Sequence, residues 1–324
     1  MKSGRLFKKI ILTVLIVAAL LTFAACSTGD ATARAEDALA AHAQEAQVVT
    51  IESDPVPLAA QKDIATAEAT FNDGGSVNTT SLQNGSITLN TNLAEKGIVG
   101  IQADVQSDKR LKVKVALDEQ AEYYDITKGE MTKVPMQFGS GTYRVAVFEN
   151  ISGNEYTGLY EEDVDVSLGD ANDPFLYSSQ IVDYEDSKDC YPLAEQLAQG
   201  AGSDMDILTA YYGYVVSNIT YDYDKINRID STYVPDIDDI LKSKKGICYD
   251  YAAVLASLLR EAGIPTKLVM GYRSDMEEYH AWNQVLIGGE WITVDATFGS
   301  VMQGNGQSDD MVKEAALYSA EKVF

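Results

Sequence analysis

The chain has 324 residues, with 49 acidic against 25 basic side chains and a formal net charge of −24. Nucleic-acid binding needs clustered Lys and Arg, so this balance excludes it, and the excess acid suits solubility at a cell surface. The length allows about two domains of roughly 150 residues once the ends are set aside.

The first nine residues carry Lys2, Arg5, Lys8 and Lys9 and no acid, and residues 10–25 are an almost unbroken apolar run. That pattern predicts a secretion signal over residues 1–25, its apolar run shorter than the roughly 20 residues of a spanning helix. Phe23-Ala24-Ala25-Cys26 resembles the bacterial lipoprotein cleavage box, with Phe23 where leucine is usual. The resemblance implies that Cys26 is the lipidated first residue of a membrane-tethered mature protein; an uncleaved anchor helix is the alternative. Either way the domains are expected outside the cytoplasmic membrane. Residues 26–80, rich in Ala, Asp, Glu, Thr and Gln with Pro55 and Pro57, read as a flexible tether. His42 lies in it, and an unpacked histidine cannot be held against a nucleophile.

Over residues 81–169 the apolar period becomes two. Short strands are expected at 86–89, 98–101, 111–115, 132–138, 143–148 and 164–166, separated by Asn-Gly and Ser-Gly clusters. Six or seven such strands suit an immunoglobulin-like β-sandwich, with no ligand-spaced cluster in it and a spacer or binding role.

Residues 170–324 begin after a turn-rich boundary at 170–174. Helices are expected at 191–199, 205–217 and 237–243, then a longer one opening at Cys248. Tyr251, Val254, Leu255, Leu258, Leu259 and Ala262 recur at three- and four-residue steps, and Gly263 and Pro265 end the helix. Cys248 therefore occupies the first turn, where unpaired N–H groups and the helix dipole favour thiolate. Strands are expected at 266–272, 279–287 and 290–296, the last two joined by Gly288-Gly289. Helices followed by an antiparallel sheet make an α+β domain. Residues after 299 read as turn-rich, then mildly helical from 311, with no function.

Cys248, His280 and Asp295 arrive in that order, and a sheet packed on the cysteine's helix would bring them together. Gly246 to Ala252, Arg260 to Pro265, His280-Ala281-Trp282 and Asp295 to Thr297 are four linked motifs. Together they resemble the transglutaminase-like superfamily, whose papain-like Cys-His-Asp sites attack amides. The resemblance covers roughly the last 120–150 residues. It implies Cys248 as nucleophile, His280 as base and then acid, and Asp295 as the partner of the far ring nitrogen. The backbone N–H of Cys248 is a natural oxyanion donor, with Tyr221 or Tyr223 as a second and Trp282 as a wall of the cleft.

Cys190 reads as a small buried residue, although an exported chain could pair it with Cys248 and silence the thiol. Cys190, Cys248, His280 and Asp295 lack the short spacings of zinc sites, so no metal and no cofactor are expected. The resulting expectation is an extracytoplasmic thiol enzyme, a protease, amidase or transglutaminase, acting on protein, peptide or cell-wall peptide. A non-catalytic surface adhesion protein is the alternative.

Overall fold

The computed structural model describes residues 76–324. The signal, Cys26, His42 and all of the tether up to residue 75 lie outside the described residues.

Eight strands build the first layer pair: β1 (Val77–Leu82), β2 (Gly85–Asn90), β3 (Ile98–Val105), β4 (Leu111–Leu117), β5 (Gln120–Ile126), β6 (Met131–Pro135), β7 (Gly141–Ser152) and β8 (Glu155–Val166). They form two four-stranded antiparallel sheets, in the orders β1-β2-β3-β6 and β5-β4-β7-β8. Alternation puts Ile87, Leu89, Ile101, Val113, Val115, Val145 and Val147 inside, so each sheet buries one face against the other. Tyr143 is buried at the corner after β6. Its hydroxyl accepts from the Phe138 N–H and donates to the Met136 carbonyl, both at 2.8 Å.

Three details depart from the sequence reading. β1 lies across the boundary drawn at residue 80, β5 was not expected, and β6 stops at Pro135 instead of running to 138. Polar β1 is an edge strand with little buried surface, and the buried face of β5 reads Glu122, Tyr124, Ile126, which hides its period.

The second domain carries α1 (Cys190–Leu197), α2 (Asp204–Asn218), β9 (Thr220–Tyr221), α3 (Tyr223–Ile226), α4 (Ile237–Ser243), β10 (Lys245–Gly246) and α5 (Cys248–Glu261). After α5 come β11 (Thr266–Arg273), β12 (His280–Ile287), β13 (Glu290–Val294), α6 (Ala296–Gly304), β14 (Val312–Lys313) and β15 (Tyr318–Val323). The main sheet runs β14-β13-β12-β11-β15. This is the expected α+β arrangement, preceded by a β-sandwich. Two expectations are corrected: residues 296–304 are helical because Asp295 caps them, and residues from 311 form strands and a 3-10 turn, not a helix.

Helix α5 is the hub of this domain. Residues 250–261 are all buried, and α1, α2, α4, α6 and the sheet pack around it. Gly263 ends it at φ 75°, a left-handed conformation that costs glycine least. Arg260, fully buried, donates to the carbonyls of Thr266 at 2.9 Å, Tyr177 at 3.0 Å and Phe324 at 3.0 Å. Burial pushes its guanidinium down to about 10, still charged at neutral pH. One side chain thus ties the interdomain linker, the entry to β11 and the end of β15 to the hub.

Candidate active site

Cys248 opens α5 at the first helical position, where the backbone N–H groups of the first turn have no acceptor within the helix. The N-cap is Ile247, which has no side-chain acceptor, so the start is fixed from the other direction. Asp250 Oδ2 accepts the Ile247 N–H at 2.8 Å. The same carboxylate accepts from Lys225 Nζ and Tyr233 Oη, each at 2.6 Å, and Lys225 also bonds Tyr233 at 2.6 Å. Asp250 is fully buried, and Gly246 makes room for it: a Cβ at 246 would stand 2.6 Å from the Asp250 Cβ. The glycine and aspartate flanking Cys248 therefore set where the thiol stands.

His280 begins β12 and is 4 % exposed. Asn283, three residues on, donates to the Ala252 carbonyl of α5 at 3.0 Å and fixes this strand to the cysteine helix. The His280 Nε2 lies 2.8 Å from Asp295 Oδ2, which leaves Nδ1 as the nitrogen able to serve Cys248, the neighbour that joins Asp295 in raising the ring's pKa. Asp295 is fully buried and serves two structures at once. Oδ1 accepts the Phe298 N–H at 2.9 Å and caps α6; Oδ2 takes His280 and the Tyr318 hydroxyl at 3.0 Å.

The charges follow from these contacts. Burial opposes a charged His280, but the bonds and charges of Asp295 and Cys248 overcome it and raise its pKa to about 10. Burial likewise opposes a charged Asp295. The His280 bond and charge, the Phe298 N–H and Tyr318 together hold it below the usual carboxylate range. Among the described residues the pair is therefore imidazolium and carboxylate at neutral pH.

The two tyrosine candidates separate. Tyr221 lies on β9, which pairs with β10 in parallel so that Tyr221 stands opposite Gly246, two residues before the thiol. Burial, then the neighbouring Cys248, raises its pKa to about 12, so it keeps its O–H as a donor. Tyr223 is 71 % exposed on α3, its ring 4.9 Å from that of Tyr221, so it belongs to the rim and not to the oxyanion position. Trp282 corrects the cleft-wall expectation. At 1 % exposure it is a floor, stacked on His280 at 6.3 Å and tilted against Tyr318 at 5.0 Å.

Cys190 and Cys248 are both free thiols. Cys190 is buried in α1, and burial pushes its thiol far up, so it stays protonated. Among the described residues no group of three or more His, Cys, Asp or Glu is arranged to hold a metal ion. Sequence reasoning missed Tyr318, Asn283, Lys225 and Tyr233. Asn283 directly follows the His280-Ala281-Trp282 motif; the rest reach the site from distant segments.

A sequence profile described as Transglutaminase-like superfamily matches residues 191–296. The mouse protein named Kyphoscoliosis peptidase is 32 % identical over 119 residues, covering 33 % of this chain and 18 % of its own length. Its human counterpart of the same name is 29 % identical over 136 residues, covering 39 % and 20 %. The chain thus spans about a fifth of the length of these curated relatives. Among solved structures, a putative cysteine protease from Cytophaga hutchinsonii aligns at 18 % identity and TM-score 0.36, over 68 % of this chain and 78 % of that one. The periplasmic domain of TgpA from Pseudomonas aeruginosa aligns at 16 % and 0.33, over 70 % and 96 %. With the profile match spanning Cys248 and His280 and closing one residue past Asp295, residues 191–296 belong to the transglutaminase-like superfamily.

Proposed function

We propose that this protein is an extracytoplasmic thiol enzyme that forms a thioester from a peptide or glutamine amide. The observation that carries the reading is an imidazole bonded to Asp295 through Nε2, with Cys248, at a helix start, as the second group that raises its pKa. The Cys248 sulfur attacks the amide carbon, and its proton resides on His280. The Cys248 N–H, with Tyr221 as second donor, receives the developing oxyanion. As the C–N bond breaks, His280 hands its proton to the leaving amine, and Asp295 keeps the ring in the orientation this requires. Water or a primary amine then attacks the thioester carbon, His280 takes the incoming proton, and the thiolate leaves.

Hydrolysis is the favoured second half, since no amine-binding feature was legible and water is abundant. Substrates are proteins or peptides, including cell-wall peptides, and Cys26 as lipidated residue would keep the enzyme at the outer face of a cell membrane. A binding protein that reuses the fold is the rival, and the intact Cys248, His280 and Asp295 set weighs against it.

The test is incubation with a peptide mixture, with and without added primary amine, followed by intact mass. Wild type gains an acyl adduct that water or amine releases; Cys248→Ala gains none. Equal behaviour of the two proteins would remove the enzyme reading.

A further inference from the structure

The reaction above gives the β-sandwich nothing to do. Yet an open groove of about 1040 Å³ runs between it and the catalytic domain. Tyr123, Phe148 and Tyr156 come from the sandwich, and Tyr233, Tyr249 and Tyr279 from the other side. Cys248 and His280 do not line it. Their chain neighbours do: Tyr249 follows Cys248 and Tyr279 precedes His280, so each tyrosine Cα is about 3.8 Å from that of its catalytic neighbour. Tyr279 is exposed and packs edge-on against exposed Tyr272 at 5.4 Å, extending the aromatic surface at the histidine end. One end of the groove therefore lies beside the nucleophile and the base.

The lining also says what it suits. Eight aromatic rings, six of them tyrosine, offer flat apolar faces, most with hydroxyl tips, on side chains of only two torsions, so they contact side chains and peptide planes at little entropic cost. The charge of the sandwich wall runs against that of the whole chain. Arg110 holds Asp125 through Nε and, at 2.9 Å, through Nη2, while Lys112 Nζ lies 3.7 Å from the same carboxylate. One carboxylate facing two cations leaves one positive charge in excess on that wall, and Lys322 and Asp230, which also line the groove, offset each other, in a chain of net charge −24. Arg110 also reaches across the groove to the Ser231 hydroxyl at 3.3 Å and carbonyl at 3.2 Å. That segment continues to Tyr233, which bonds Asp250 at the start of the cysteine helix.

We infer that this groove binds an extended polypeptide segment of the substrate, uncharged or acidic and bearing large apolar side chains, and delivers the flanking amide to Cys248. The inference rests on the thiol-enzyme reading and gives it a substrate class. It makes the sandwich part of substrate recognition. An extended chain advances about 3.3 Å per residue. Each residue beyond the scissile amide therefore carries the substrate further along the groove.

The binding experiment uses the full chain as Cys248→Ala, with dye-labelled β-casein as an unfolded acidic, apolar polypeptide, dye-labelled polylysine, and a chitin oligosaccharide. β-Casein binds, and adding Tyr156→Ala or Lys112→Glu weakens it about tenfold. Polylysine, which the net charge of −24 attracts all over the surface, is not weakened by either substitution, and the oligosaccharide binds more weakly than β-casein. Casein binding that is absent or unmoved by both substitutions overturns the groove, as does tighter binding of the sugar, which would make it a glycan site. Iodoacetamide labelling of Cys248 and the melting curve, taken on Tyr156→Ala and Lys112→Glu in the otherwise wild-type chain, stay unchanged and separate this from misfolding. Groove-dependent casein binding with no acyl adduct in wild type would sink the chemistry alone. An acyl adduct with equal KM for long peptides in both groove variants and wild type would sink the groove alone.

Discussion

The sandwich and the catalytic domain are both closed around apolar interiors, but they bury different things besides. Inside the sandwich lie Ile87, Val113, Val145 and their neighbours, with little that is charged. Inside the catalytic domain lie His280, Asp295, Asp250, Arg260 and Asn283, each bonded to a partner from another segment. Apolar burial contributes about 25 cal/mol per Å² and asks little of direction. A buried charge that loses its partner costs several kcal/mol, about 3–5 in measured cases. The catalytic domain thus holds itself together partly with the bonds that aim its reacting groups, whereas the sandwich separates the two tasks.

That contrast breaks most visibly at Asp295. Asp295→Asn is expected to slow acyl-enzyme formation about 10³–10⁴-fold, as loss of the orienting carboxylate does in other triads. Single-turnover kinetics read this, and a loss of under about tenfold would remove the orienting role. In the sandwich, Leu111→Ala should cost about 2–5 kcal/mol in urea unfolding while iodoacetamide labels folded Cys248 at the wild-type rate. Asp250→Asn should cost less, about 1–3 kcal/mol, yet it should slow that labelling, because the start of α5 loses its clamp. A labelling rate unaffected by Asp250→Asn would mean that the two domains do not differ in this way.

The same contrast has a pH signature. The His280 pKa is raised to about 10, so stability from its pairing is complete below the unfolded imidazole value of about 6.5 and is lost as pH rises through about 10. Asp295 is lowered, so its contribution is present above about 3.9 and lost as pH falls through its own lower value. The melting advantage of wild type over His280→Phe should therefore shrink between neutral pH and pH about 10. The shift caused by Leu111→Ala should stay constant over the same range. Smallest of all is Lys109→Ala. Its bridge to Glu149 spans 4.0 Å with the lysine half exposed, and less than about 0.5 kcal/mol is expected.

How much of this was legible in the sequence follows the reach of each signal. Helix α5 announced itself through its apolar stripe, Gly263 and Pro265, and the β12–β13 hairpin through Gly288-Gly289. Those are local patterns. Helix α6 was hidden because its cap, Asp295, also reads as a strand end, and its two glycines weaken the helical pattern. Strand β15 is exposed along most of its length, so no alternation marks it, and Tyr318 went unnoticed there. Lys225 and Tyr233 are close to Asp250 only in space. Nothing short of the folded chain says that the aspartate two residues after the cysteine gathers an ammonium, a phenol and a backbone N–H.

Asp295 is held from three directions, and one of them, Tyr318, sits on a strand made after everything else in the site. Ribosomal synthesis delivers Cys248 first, His280 next and the phenol last. A nascent chain consequently travels through translation with a commonplace sulfhydryl, and it acquires a fully braced triad only after β15 has docked beside β11. The last brace on the orienting carboxylate is thus also the last part of the site that the chain supplies.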